Sequence, residues 1–436
     1  MKKIIAMLVV ISLIMSFVSV NTYAQINIPE YIRVGLFYGS TAKQNVSLSA
    51  DNVVVYCEGV PYATVPAVNV TIAPDGFLVN DVLYQAKVLE FVPVSGIINV
   101  NSKPYRGYVK LILTAEGITV INIAKLEEYL RGVLPLEMAT GWPIEALKAQ
   151  ALCARTYAVS DIGRFEQYGF DVTDTTLSQV YGGVNVEKAD CTRAVEETAG
   201  MVVTYNGKLA ETYYFSTSSG VTLDVKDVWT SAIPYLVPVD DSLQSNVIKD
   251  NGAWKVTYSK QELEELLIKK GVDLGEINSV TVDEYNAQGA VMKLTFKGTK
   301  GSKTYTKGKT RDILSLRSQV YTINTLSKTP TSLVTMSIID KEGVENVSSS
   351  LNVLSSQGLM PLGGVFSIMG NNEVVNTPEN TPQIFDGIEI NGTGYGHGIG
   401  MSQNGAKALA RAGYTAYQII THYYTGVQVT GVNQEG

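Results

Sequence analysis

Hydrophobic and polar positions alternate with a period of two through most of the stretch from Ile32 to Thr114. The segments IRVGLFYG, NVSLSA, NVVVYC, FLVN, KVLEFV, IINVN and YRGYVKLILT are separated by Gly, Asn, Asp or Pro. This pattern predicts short strands, because every second side chain then lies on one face of a sheet. ITVINIA adds one more strand, and then the period changes. Between Pro143 and Gly163, the positions Leu147, Ala151, Ala154, Ala158 and Ile162 fall at three- and four-residue steps, which predicts a helix with one apolar face. Pro143 suits its first turn and Gly163 its end. The small residues on that face allow a neighbour to approach closely.

Farther along, a polar loop from Asp171 to Gly183 precedes a helix from about Val186 to Ala199, with Gly200 at its C′ position. MVVTY-NG-KLAETYYF predicts a hairpin, since Asn206-Gly207 can take the positive φ angles of a type I′ turn. From about Trp254 to Ile323 the pattern reads strand, helix, two strands, helix, strand, with a turn near Asn286 to Gly289. The stretch from Lys328 to Asn380 is less regular. In the closing segment Gly392, Gly394, Gly396, Gly398 and Gly400 alternate with other residues, as where backbone packs close to a strand or ligand. Ser402 and Thr415 are each placed to cap a following helix.

Composition narrows the field. The 436 residues carry a net charge of -7 with only 17% charged side chains, which argues against nucleic acid or an anionic surface as main partner. Three cysteines (Cys57, Cys153, Cys191) rule out a disulfide-stapled scaffold and leave one bridge open; Cys153, inside the long helix, reads as a small buried hydrophobe. Lys2 and Lys3 precede an apolar run from Ile4 to Val20 and then Thr22-Tyr23-Ala24, the pattern of a secretory signal peptide cut after Ala24, with an uncleaved membrane anchor as the alternative. The 25 tyrosines suit stacking on sugars and equally suit sheet packing.

The candidate chemistry centres on Glu137, read as lying in a loop framed by Pro135, Gly141 and Pro143. Leu134, Leu136, Met138 and Trp142 flank it, and a carboxyl in such surroundings is pushed toward its neutral form, as a general acid requires. The bland alternative is that Glu137 caps the helix or pairs with Arg131. Asp171, Asp174, Glu211 and Asp224 are the nearest other carboxylates in motif-bearing stretches, each in a polar context that gives no reason for a raised pKa. The only histidines are His397 and His422. His422 reads as a donor to free carbonyls in the last turn of a helix. His397, set among glycines, reads as a site residue. With no HExxH pattern and no paired cysteines, no metal site and no cofactor is expected.

Several motifs then carry a resemblance. EYLRGVLPLEM, EALKAQALCARTYA, the SSGVT loop leading to VW and PYL, and GYGHGIGMSQNGA followed by HYYTG are similar, in order from about Ile32 to Val429, to the stage II sporulation protein D (SpoIID/LytB) family. The resemblance implies an α+β, SpoIID-type fold with mixed β-sheet subdomains and a few helices around an elongated cleft. It implies lytic transglycosylase activity on the glycan strands of bacterial peptidoglycan, preferably strands stripped of stem peptides, leaving 1,6-anhydro-muramic acid ends. The family's catalytic acid falls on Glu137. Some relatives hold zinc through a Cys/His cluster, but the matching region after Arg164 has no His and no Cys pair, so none is expected here. The family's Ser-Gly-Gly is Ser218-Ser219-Gly220 in this chain.

The expected division is a signal peptide or anchor at 1–24 and a SpoIID/LytB-type domain at 30–436. Within that domain come a β-rich part at 30–114, a catalytic part at 115–240, an α/β insertion at 250–327, an irregular insertion at 328–385 and a Gly-rich closing motif with C-terminal helices at 386–430. Arg155, Gln179, Tyr213, Ser216 and Ser218 are candidate glycan contacts, with Gly396, His397, Gly398, Ser402 and Gln403 as an opposite wall. Arg155 could instead orient Glu137 or tie its helix to a neighbour. The expected partners are peptidoglycan glycan strands and a cell-wall amidase, in a secreted, wall-associated protein. A non-catalytic wall-binding or amidase-enhancing protein of the same fold is the main rival. A zinc-dependent amidase using His397 and His422 is the other.

Overall fold

The computed structural model describes residues 28–328 and 384–431, together with residue 26 and six short strands between 335 and 376. The expected signal peptide at 1–24, and the insertion at 328–385 apart from those strands, lie outside the described residues. The fold is α+β, and the chain forms two compact units. The first comprises Met1–Val225, Ser231–Lys249 and Gly398–Gly436; the second comprises Lys226–Thr230 and Asp250–His397.

An eleven-stranded mixed sheet dominates the first unit. Its strands are β1 (Tyr31–Phe37), β2 (Asn45–Cys57), β3 (Val60–Ala73), β4 (Gly76–Val79), β5 (Val82–Tyr84), β6 (Val88–Pro93), β7 (Ile97–Val100), β8 (Lys103–Arg106), β9 (Tyr108–Leu113), β10 (Ile118–Lys125) and β11 (Val172–Thr173). The main order is β11-β1-β10-β9-β6-β2-β3-β4-β5, with β7 pairing both β2 and β8. NVSLSA and NVVVYC join into the single strand β2. Its partner β3 is absent from the expected strands, because Pro61 and Pro66 break the pattern. Pro66 sits where the β2–β3 register slips, between Ser49 and Val53, so no ladder bond is required of it. β10 is buried at every position but the last, as a strand covered on both faces must be.

β10 runs directly into α1 (Leu126–Glu137), whose first turn carries Glu127 and Glu128, favourable against the helix dipole. Glu137 is the final residue of this helix, and Pro135 lies within its last turn. The expected loop around Glu137 is therefore one turn shorter than its prolines suggest. α2 (Ile144–Ser160) follows, with Pro143 as its N-cap. It is buried nearly all round, and its alanines admit α1, α3 (Ala189–Glu197) and the two C-terminal helices. The helix stops three residues before Gly163, so Ile162 leaves the apolar face and is 39% exposed. Arg155 fixes this bundle. It is fully buried, grips the Glu127 carboxylate at 2.8 and 2.7 Å, and donates to the carbonyls of Val195 and Met201.

The NG hairpin forms between β12 (Met201–Tyr205) and β13 (Lys208–Leu209), with φ of 49° at Asn206 and 74° at Gly207. β14 (Tyr214–Phe215) then pairs in parallel with a short strand at Met401–Ser402. In the second unit β15 (Trp254–Ser259), a late strand at Ile384–Gly392 and β19 (Tyr321–Lys328) make one sheet. β16 (Ile277–Tyr285), β17 (Val291–Gly298) and β18 (Gly301–Thr306) make another. α4 (Lys260–Lys269), capped by Ser259, contributes Leu263 and Leu267 to a core shared with Trp254, Phe296 and Ile388. β18 is an addition to the expected elements, and the helix after it, α5, is the single turn Lys309–Ile313.

The chain then returns to the first unit. α6 (Gln403–Arg411) is capped by Ser402, and α7 (Ala416–Tyr423) by Thr415 with Gln418 completing a capping box. No described helix is long and apolar enough to cross a membrane.

Candidate active site

Glu137 ends α1 half-buried. Leu134 and Met138 beside it are buried, whereas Leu136 turns outward and is 43% exposed. Two neutral donors reach its carboxyl. Gln403 Nε2 approaches Glu137 Oε2 at 3.3 Å, and the Tyr214 hydroxyl donates to the same carboxylate. Behind Tyr214 the bonds continue inward: Gln179 Nε2 donates to the Tyr214 hydroxyl at 3.0 Å, and the fully buried Tyr129 hydroxyl donates to Gln179 Oε1 at 3.2 Å. This Tyr129–Gln179–Tyr214 relay gives each hydroxyl and amide one direction, ending on Glu137.

Burial raises the Glu137 pKa above the ordinary carboxylate value, and the bonds from Gln403 and Tyr214 pull it back. No cation and no second carboxylate is among the groups that shift it. Arg131, the candidate salt-bridge partner, pairs with Glu196 instead, at 3.1 Å. The carboxyl is thus neither locked as an anion by a positive neighbour nor stripped of the donors that stabilise its anion. A single group so placed can give up a proton and take one back.

Local packing fixes the donors. Ser402 caps α6, and its hydroxyl donates to Gln244 Oε1 at 3.2 Å, holding the start of the helix that carries Gln403. Gln244 also bonds both backbone ends of Ser218, whose hydroxyl donates to Asp241 Oδ2 at 2.6 Å. The Tyr423 hydroxyl donates to the other oxygen of Asp241 at 2.5 Å. A Cβ on Gly405 would strike both Asp241 and Tyr423, so glycine is required in this turn of α6. Ser218 is therefore buried and engaged inside the first unit, one layer behind Gln403. Gly400 adopts φ of 74° because Tyr213, the residue before the Glu137 partner, lays its carbonyl against it.

The other candidates fall into place as follows. Tyr213 is half-buried, its ring near that of Tyr157 and its carbonyl accepting from the Tyr424 hydroxyl at 2.7 Å. Ser216 offers its carbonyl to Asn404 at 3.0 Å. Gly398 accepts from Leu223 N and, like Ser402 and Gln403, belongs to the first unit. Gly396 and His397 belong to the second, where the His397 ring lies 5.3 Å from that of Trp229. His422 Nε2 meets the carbonyl of Asp240 at 2.8 Å from the last turn of α7.

One expectation about charge needs correction. Asp174, expected in a polar context, is instead buried enough for its pKa to rise. The buried Asp241, which no sequence motif singles out, is raised for the same reason. All three cysteines are free, and Cys153 is buried beside the Tyr424 hydroxyl. Among the described residues, no group of three or more His, Cys, Asp and Glu could hold a metal ion.

Tyr214 and Tyr129 are members of the hydrogen-bond chain to Glu137 that the sequence pattern does not reveal. Alternation along ETYYF puts Tyr213 and Tyr214 on opposite faces, but nothing in that string says which face meets Glu137. Tyr129 lies on the apolar side of α1, where a tyrosine reads as packing.

Comparison with known proteins agrees with these motifs. The sequence model of the Stage II sporulation protein family matches residues 114–205, the stretch from β10 through α1, α2 and α3 to the NG hairpin. The chain is 33% identical over 305 residues to the amidase enhancer of Bacillus subtilis (strain 168), covering 69% of this chain but only 40% of that protein. It is 29% identical over 324 residues to stage II sporulation protein D of the same organism, covering 70% of this chain and 74% of the relative. The stage II sporulation protein D of Bacillus amyloliquefaciens is 30% identical over 325 residues, again 70% of this chain and 74% of the relative. By its motifs and its likeness to these proteins, the chain belongs to the stage II sporulation protein D family.

Proposed function

We propose that this protein is an exported cell-wall enzyme that cleaves glycan strands of peptidoglycan, preferably strands freed of stem peptides, by lytic transglycosylation. The observation that carries the reading is Glu137, a carboxyl raised by burial and held by two neutral donors with no charged partner. Glycosidases that hydrolyse generally place two carboxylates across the bond, one of them to activate water or to form a covalent intermediate. A transglycosylase needs one. Glu137 protonates the glycosidic oxygen as the bond to muramic acid C1 breaks. The carboxylate so formed takes the proton of the same sugar's 6-hydroxyl as that oxygen closes on C1. The acid is restored, no water is consumed, and the product ends in a 1,6-anhydro ring.

Tyr214 and Gln403 hold the carboxyl during both transfers, and the Gln179–Tyr129 bonds hold Tyr214. Export rests on the N-terminal Lys-Lys and apolar segment and places the protein at the wall. The test is digestion of peptide-stripped glycan strands with the protein and with Glu137→Ala. Anhydro-muramic ends that appear only with the intact carboxyl support the reading; reducing ends contradict it.

A second reading is favoured by the 33% identity to a protein named amidase enhancer. In that case the chain binds the wall and stimulates an amidase without cutting glycan. Stimulation and binding that survive Glu137→Ala, with no glycan product from either protein, would favour this reading.

A further inference from the structure

The large sheet of the first unit carries a groove of about 420 Å³ that the chemistry of Glu137 does not use. Its lining comes mainly from β1, β10, β9 and β6. Alternation puts Tyr31, Arg33, Tyr108, Lys110 and Glu90 on one face, since Ile32, Val109 and Leu89 between them are fully buried on the other. Strand register sets Arg33, Ile123 and Tyr108 side by side and Lys110 opposite Glu90. This face looks away from Glu137. Asn122, which points to the other side of β10 from Ile123, accepts from the Tyr181 hydroxyl at 3.0 Å. The Tyr181 ring in turn lies 5.0 Å from that of Tyr129, a member of the chain to Glu137.

The groove is apolar in part and balanced in charge. Ile123 is buried in the lining, whereas Tyr31 is 43% exposed and Ile162 projects from the segment after α2. Arg33 and Asp171 consume each other. Arg33 Nε donates to Asp171 Oδ2 at 3.1 Å, and the backbone N–H groups of Arg33 and Gly163 donate to the same carboxylate. They make a fixed wall. Lys110 and Glu90 differ: both are partly exposed, and their closest approach is 3.6 Å, too long for a direct hydrogen bond. A hydroxyl and a neighbouring amide N–H fit there, the first accepting from Lys110 Nζ and the second donating to Glu90. Two cations and two carboxylates line the groove, so it offers no surplus charge to an ionic ligand. Its volume suits a sugar residue, and the Tyr31 ring is a platform for the apolar face of one.

We infer that this groove is a second glycan-binding site, separate from Glu137, that takes an uncharged 2-acetamido pyranose. The ring stacks on Tyr31, the acetamido N–H meets Glu90 and the adjacent 3-hydroxyl meets Lys110. The choice of sugar rests on the proposed glycan substrate and deepens it. In a peptidoglycan strand the N-acetylglucosamine residues keep a free 3-hydroxyl beside the acetamido group, whereas muramic acid carries its lactyl ether there. A residue held on this face belongs to a stretch of glycan other than the one cut at Glu137, so the site tethers the protein to its substrate.

The test is titration calorimetry of the full chain carrying Glu137→Gln, with the neutral tetramer of N-acetylglucosamine as probe. Two molecules should bind per chain. Tyr31→Ala, at an exposed position, and Glu90→Gln should each weaken one of the two by about five-fold or more, the worth of a ring contact or a charge-assisted hydrogen bond. The other molecule should bind as in the parent. Binding that either variant leaves unchanged overturns the inference. So does equal affinity of this site for cellotetraose, which lacks the acetamido groups. A single molecule per chain, weakened by both variants, leaves the groove standing and counts against glycan binding at Glu137. A parent that binds none overturns the groove assignment, while anhydro ends formed by the unmutated protein would still uphold the catalytic reading.

Discussion

At the scale of single residues, Glu137 is balanced between burial, which favours its acid, and two donors, which favour its anion. Activity should fall as pH rises through its raised pKa, because the acid form starts the reaction. Tyr214→Phe removes a donor to the anion, so the alkaline fall in kcat should move to higher pH, with a loss in rate on the order of ten-fold. A pH–rate profile of both proteins checks this. The same balance has a consequence for stability. A carboxyl raised in the folded state favours folding most below its unfolded pKa, and that contribution is lost as pH rises through the folded value. Glu137→Gln should therefore be more stable than the parent to urea at neutral pH, and the difference should vanish in acid. The rise in the Glu137 pKa is legible in the sequence because the buried Leu134 and Met138 adjoin it there. Tyr214 is not, because its approach depends on β14 pairing in parallel with a strand nearly two hundred residues later, a contact that leaves no local trace.

At the scale of elements, α2 holds the site together, and its alanines show in the sequence as a close-packing face. Arg155 does not show its place. A cation on a helix reads equally as a ligand contact or a brace, and only burial against Glu127, Val195 and Met201 decides for the brace. Arg155→Met should cost about 3 kcal/mol, since it leaves the Glu127 carboxylate without its partner; urea unfolding measures it. At Gly405 the added methyl of alanine would strike the Asp241–Tyr423 pair, and a loss of about 2 kcal/mol is expected. In both variants, any activity that remains should keep the pH profile of the parent. Caps and turns are readable because their chemistry is local: Ser402, Thr415 and Asn206-Gly207 each act within a few residues. β3 is not, because its prolines are tolerated only through a register slip that depends on β2.

At the scale of the whole molecule, Glu137 and the donors that reach its carboxyl, Gln403 and Tyr214, all belong to the first unit. A chelator should leave glycan cleavage unchanged, since the described residues assemble no metal ligands; chelator-sensitive release of stem peptides would point to the amidase reading. The central claim is that one carboxyl breaks the glycan bond without water. Cleavage of peptide-stripped strands in water enriched in heavy oxygen tests it most directly, by the mass of the newly formed muramic ends. Ends that carry none of the heavy isotope and show the mass of an anhydro ring are predicted. Ends that take up one heavy oxygen would mean that water attacks the sugar, and would contradict the account.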